Sequence, residues 1–210
     1  MSSVEQDPSK NHHWLSITVL MALSIALLNA FIGETIPLMI VDLRHQMQLT
    51  NEQAGLLRFA PAAAGLLIAP SAGAITDTLG AKRTLTAALI LFASGALVIA
   101  LSPNSLVLIL GLLVLGLGNM STSVVAYAML TKSAANSKQL GIYIAAWGIT
   151  FNIGYLLFPP ISGWLLTQTD RSWIVVGKLA MATSIILLIA NIRLNNDQTT
   201  SDAKGATNWG

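Results

Sequence analysis

The chain contains no cysteine, which excludes disulfides, zinc–thiolate centres and thiol nucleophiles. Charge is scarce as well. Asp, Glu, Lys and Arg make up 10% of the 210 residues, where a water-soluble domain carries roughly a quarter. With 54% hydrophobic residues, so few charges cannot cover a globular surface, and the solvent for most of the chain is lipid. The net charge is +2 and no run of lysines or arginines tracks along the sequence, so no nucleic-acid partner is expected. Also missing are His-Glu-x-x-His, Gly-x-Ser-x-Gly and a glycine loop ending in Lys-Ser or Lys-Thr. Those are the residue sets of zinc hydrolases, serine hydrolases and phosphate-binding enzymes. No enzymatic activity, cofactor or metal site is expected, and the His12-His13 pair reads as interfacial. The first ten residues are polar and lack the apolar core of a cleaved signal, so the first helix is expected to stay as an anchor.

What remains is apolar sequence in long runs. A bilayer core about 30 Å thick needs about 20 residues of helix, and six stretches qualify: Trp14–Ile40, Gln53–Thr76, Thr84–Leu101, Leu106–Leu130, Leu140–Leu166 and Trp173–Ile192. The runs are continuous rather than alternating, which excludes a closed barrel. The expected organisation is a tail over 1–13, a six-helix domain over 14–192 and a polar, disordered tail over 193–210. Lysine and arginine set the orientation. With the amino terminus in the cytoplasm, the inner segments hold Lys10, Lys82, Arg83, Lys132, Lys138, Arg193 and Lys204, and the outer loops only Arg44 and Arg171. Both termini are therefore expected to be cytoplasmic. Trp14 at the inner boundary, and Trp164 and Trp173 about the last outer loop, read as an aromatic belt.

The connection between the second and third spans reads G-A-I-T-D-T-L-G-A-K-R, Gly73 to Arg83. It resembles the signature loop of the major facilitator superfamily, with Gly73, Asp77, Gly80, Lys82 and Arg83 fitting and Thr78 and Ala81 departing from usually basic positions. Gly73 is expected to let its helix approach a neighbour, Gly80 to permit a tight turn, and the charged groups to form a gating network. The fourth span keeps the family's glycines as Gly116 and Gly118, but its arginine position is Leu112. Ordinary close packing is the favoured explanation of those two glycines. The fifth span keeps Gly154, Phe158-Pro159 and Ser162-Gly163 of a longer glycine pattern. Gly65–Gly73 and Gly154–Gly163 share a glycine five residues before a proline, as inverted three-helix repeats would have it. The stretch Gly33–Leu43, followed by Ala54-Gly55-Leu56-Leu57, is similar to bacterial sugar and drug efflux members. The resemblance implies an all-α fold of six transmembrane helices, two inverted repeats forming half of the superfamily's fold.

Ionisable groups inside a membrane are costly and usually functional. Glu34 stands 20 residues after Trp14, and Arg58 stands 19 before Asp77, so both lie about 28–30 Å from the inner face on neighbouring helices. A Glu34–Arg58 ion pair is the leading expectation, against the alternative that each side chain snorkels separately. Lys178 is expected to snorkel outward, and Pro37, Pro61, Pro70 and Pro159 to bend their helices. The family places helices one, two, four and five around a central cavity. The implied cavity or coupling residues are Asn29, Glu34, Arg58, Asn119, Ser123, Asn152 and Tyr155, with interhelical glue as the alternative role. The implied function is carriage of a small solute, outward, in a bacterial inner membrane. The competing expectation is a non-transporting membrane subunit or an inactive fragment of a twelve-helix transporter. One wall of a cavity needs another, so a homodimer or a second six-helix half is expected as partner.

Overall fold

The computed structural model describes residues 16–168 and 172–206, and the side chains among them except at 45, 172 and 194–206. Trp14, Lys10, His12, His13 and Arg171 lie outside the described residues. Every apolar run is a helix: α1 Ile17–Gln46, α2 Asn51–Leu79, α3 Ala81–Ala100, α4 Ser105–Ser133, α5 Ser137–Thr167 and α6 Ser172–Ala206. All six are long and apolar enough to cross a membrane, so the chain is a multi-pass membrane protein.

The helices overrun the apolar runs because capping, not apolarity, ends a helix. Asn104 accepts from Val107 N at 3.0 Å and Asn136 from Gln139 N at 2.9 Å. Thr50 and Gln53 close a reciprocal capping box at the head of α2. The longest overrun is α6, whose backbone stays helical to Ala206 although its apolar span closes at Arg193. Pro37, Pro61, Pro70, Pro159 and Pro160 all sit inside unbroken helices.

Gly80 alone joins α2 to α3, at φ +84° and ψ 151°. An L side chain rarely adopts that backbone, which is why the tight turn expected of Gly80 needs glycine. Gly73 differs from expectation. Nothing stands within 4 Å of where its Cβ would be, so it mediates no close approach among the described residues.

The core lies around α1, α3 and α4. Phe92, Leu85 and Leu89 of α3 meet Leu108, Leu112, Leu115 and Leu130 of α4, all fully buried. Gly118 lies on the backbone of Phe92, and Gly95 on the backbone of Leu115, as small residues at membrane helix crossings allow. Gly116 lies on Pro61 of α2, so Gly116 and Gly118 both serve packing. Beyond this, α3 packs on α6, α2 on α4 and α5 on α1. The last two pairs exchange when α1–α3 is matched to α4–α6, the relation expected of inverted repeats. Trp164 is exposed as a belt residue would be, whereas Trp173 is turned inward at 7% exposure.

Candidate functional site

At mid-span, α1 and α4 are joined by polar side chains in an otherwise apolar core. Asn29, 4% exposed, donates from Nδ2 to Ser123 Oγ at 2.7 Å. Its Oδ1 accepts from Thr122 Oγ1 at 3.4 Å. The hydroxyls of Thr122 and Ser123 also donate to the carbonyl of Asn119, at 2.8 and 3.1 Å. The Asn119 side-chain oxygen is buried and makes no hydrogen bond within the structure. Residues 119, 122 and 123 share one face of α4 because helical neighbours recur at three and four positions. Of the residues named from the sequence, Asn29, Asn119 and Ser123 thus come together, and Thr122 joins them.

The helices α1 and α4 are antiparallel, so Gly33, one turn on from Asn29, lies at the level of Asn119, one turn before Ser123. The Tyr155 hydroxyl of α5 closes on Gly33, where an added Cβ would stand 3.0 Å from it. Glu34 is half-buried next to Gly33. Aromatic rings flank this corner, with Phe31 edge-on to Phe158 at 5.3 Å and Phe151 against Tyr155 at 4.7 Å. The arrangement sets an acid and a phenolic hydroxyl beside aromatic faces.

Arg58 is not part of this corner. It is exposed on α2, and no ion pair joins it to Glu34; matched depth did not bring matched faces. Asn152 is likewise apart: its Nδ2 donates to Gly148 O at 2.7 Å in its own helix, on an open apolar groove with Ala145, Ile149, Ile153 and Leu156. In the loop motif, Asp77 and Arg83 are exposed and Lys82 is half-buried. Leu112, at the family's arginine position, is fully buried in the core.

Two buried polar contacts have no counterpart in the sequence reasoning. Thr35 and Ser162, both fully buried, share a hydrogen bond at 2.7 Å between α1 and α5. Asn191 of α6 reaches the start of α3. The available signal was a polar residue inside an apolar run, which nearly always needs a partner.

Comparison with known proteins agrees with this architecture. The family model described as Major Facilitator Superfamily matches residues 17–208. The chain is 31% identical over 180 residues to the quinolone resistance protein NorA of Staphylococcus aureus, covering 83% of this chain and 44% of that protein. It is 32% identical over 123 residues to a multidrug resistance protein B homolog of Mycobacterium tuberculosis, covering 59% of this chain and 23% of that one. The chain therefore spans less than half the length of these relatives. With nearly all of its six-helix domain inside the family match, the chain belongs to the Major Facilitator Superfamily.

Proposed function

We propose that this chain forms one wall of a secondary carrier that exports a small amphiphilic solute. The observation that carries the reading is the mid-span cluster of Asn29, Asn119, Thr122 and Ser123, with the Tyr155 hydroxyl closing on Gly33, next to Glu34, one turn along α1. Polar groups at that depth are expensive in lipid and are kept where they face a pathway or another helix. The outward direction and the drug-like solute rest on relatives named for multidrug and quinolone resistance. Glu34 is the acid available to a proton gradient. The setting proposed is a bacterial inner membrane with both termini cytoplasmic, following the excess of lysine and arginine on that side. The second wall is a second copy of the chain or a separate six-helix half. Only 17% of the apolar window of α5 is buried, which leaves a broad face for it.

The test is flux through proteoliposomes, using amphiphilic cationic dyes and sugars with and without a pH gradient. Gradient-dependent dye flux that Glu34→Gln abolishes supports the reading. Flux that ignores the gradient removes the coupling role of Glu34. No flux under any condition, alone or with a second half supplied, favours a non-transporting subunit or fragment, the reading that Leu112 at the arginine position supports.

A further inference from the structure

The pair α3 and α6 is held at its two ends by different chemistry. Toward the outer end, Gly177 lies on the backbone of Ala96 and Ala100, with no room for a Cβ. Toward the inner end the contact is polar. Asn191 donates from Nδ2 to Thr86 Oγ1 at 2.9 Å and to the Lys82 carbonyl at 3.2 Å. Thr86 Oγ1 in turn donates to the same carbonyl at 3.1 Å. One amide and one hydroxyl therefore close a ring on a single backbone oxygen in the first turn of α3.

Asn191 occupies an unexpected place for an amide. Ala180, Ser184, Leu187 and Asn191 are all buried and recur at spacings of four, three and four, the stripe by which α6 packs on α3. A leucine at 191 would fill that stripe without the cost of burying an amide, so packing alone does not call for asparagine. What the amide adds is direction: it ties α6 to one carbonyl, and that carbonyl belongs to the signature loop.

The loop has little freedom to absorb a movement there. Gly80 is its only non-helical residue, with its N–H bonded back to Thr76 O and its carbonyl held by Thr84 N at 3.2 Å and Thr84 Oγ1 at 3.0 Å. Thr76 is itself buried and bonded to Ala72 O at 2.6 Å. A rotation or slide of the first turn of α3 is thus passed through one residue to the end of α2. We infer that Asn191 is the positioning residue of the signature loop: by holding the Lys82 carbonyl and the Thr86 hydroxyl, it sets where Asp77 and Arg83 stand. This inference concerns loop geometry and does not depend on which solute, if any, the chain carries.

The absence of native cysteine allows a direct test in the full chain reconstituted in nanodiscs. Spin labels at Thr78 and Lys138, both exposed, report the loop against the inner end of α5. Labels at Leu101 and Thr167, also exposed, report the outer ends as a control. In Asn191→Leu and in Thr86→Val, the inner-pair distance distribution widens roughly twofold as local order at the start of α3 is lost, while the outer pair is unchanged. Thr86→Ser, which keeps the hydroxyl, retains the wild-type width. An inner pair that keeps its width in Asn191→Leu overturns the inference. So does equal widening of inner and outer pairs, which would mean loosening of the whole bundle. Should Asn191→Leu fail to insert, the Thr86→Val and Thr86→Ser pair decides alone: equal widths in the two overturn the inference.

Discussion

The helices α3 and α5 are both apolar enough to span a membrane, yet one is half buried in the bundle and the other is on its flank. Half of the apolar window of α3 is buried, against 17% of that of α5. The difference is not one of apolarity, since lipid tails and a protein interior are alike in that respect. It lies in what the small residues meet. Gly95 of α3 and its neighbour Gly118 of α4 each have a backbone against them, whereas Gly141, Gly148 and Gly163 of α5 have nothing within 4 Å. Of the four glycines of α5 only Gly154 is used in close packing, against the side chain of Ala30. Gly141, Gly148 and Gly163, together with the exposed Asn152, lie where none of the described residues covers α5.

The largest effect expected from this contrast is at Gly118. Gly118→Leu drives a side chain into the Phe92 backbone, which cannot rotate away, and should cost at least about 1–3 kcal/mol. Gly148→Leu on α5 should stay within about 0.5 kcal/mol, as for an unencumbered surface position. Unfolding of both variants in mixed micelles measures the difference, and equal losses would erase the distinction between the regions. Next, if the α5 face receives a second six-helix unit, cysteines at Asp77 and Gly141 should crosslink between chains, with no native thiol to compete. A monomer that never crosslinks, yet transports fully, would break the comparison.

A smaller effect is expected inside the bundle. Asn29→Ala and Ser123→Ala, combined in a double-mutant cycle, should show a coupling near 0.6 kcal/mol, the average for membrane hydrogen bonds. Smallest of all is the coupling between Glu34 and Arg58. Because no ion pair joins them, Glu34→Arg and Arg58→Glu should add within about 0.5 kcal/mol, and the charge swap should rescue nothing. Recovery in the double variant would show that the pair forms in another state of the bundle.

Much of this architecture was legible in the residues. Six continuous apolar runs have no alternative to six helices, because every backbone group in lipid must be satisfied within its own segment. Gly80 was legible as a turn, and Asn119 and Ser123 as one face, because both follow from local geometry. Asn29 could be named but not its partner, since Ser123 lies 94 residues away. The Glu34–Arg58 expectation failed for a related reason. Counting residues gives depth along a helix, but rotation about the axis is needed to know which way a side chain points. Close packing was legible at Gly116 and Gly118 and is found there, whereas the close approach expected of Gly73 is not, again a matter of face.

In a soluble bundle the apolar stripe of each helix would have supplied that rotation. These helices are apolar on all sides, as lipid-embedded helices are, so the stripe carries no phase. The number of spans, the class of solvent and the signature turn follow from the residues alone, because each depends on local composition and reach. Tertiary packing chose which helices are inside, that Thr35 meets Ser162, that Asn191 holds the Lys82 carbonyl, and that most of α5 is left uncovered. Those outcomes turn on close fit between backbones and on a few polar atoms seeking partners, because in lipid no difference in apolarity remains to choose among the alternatives.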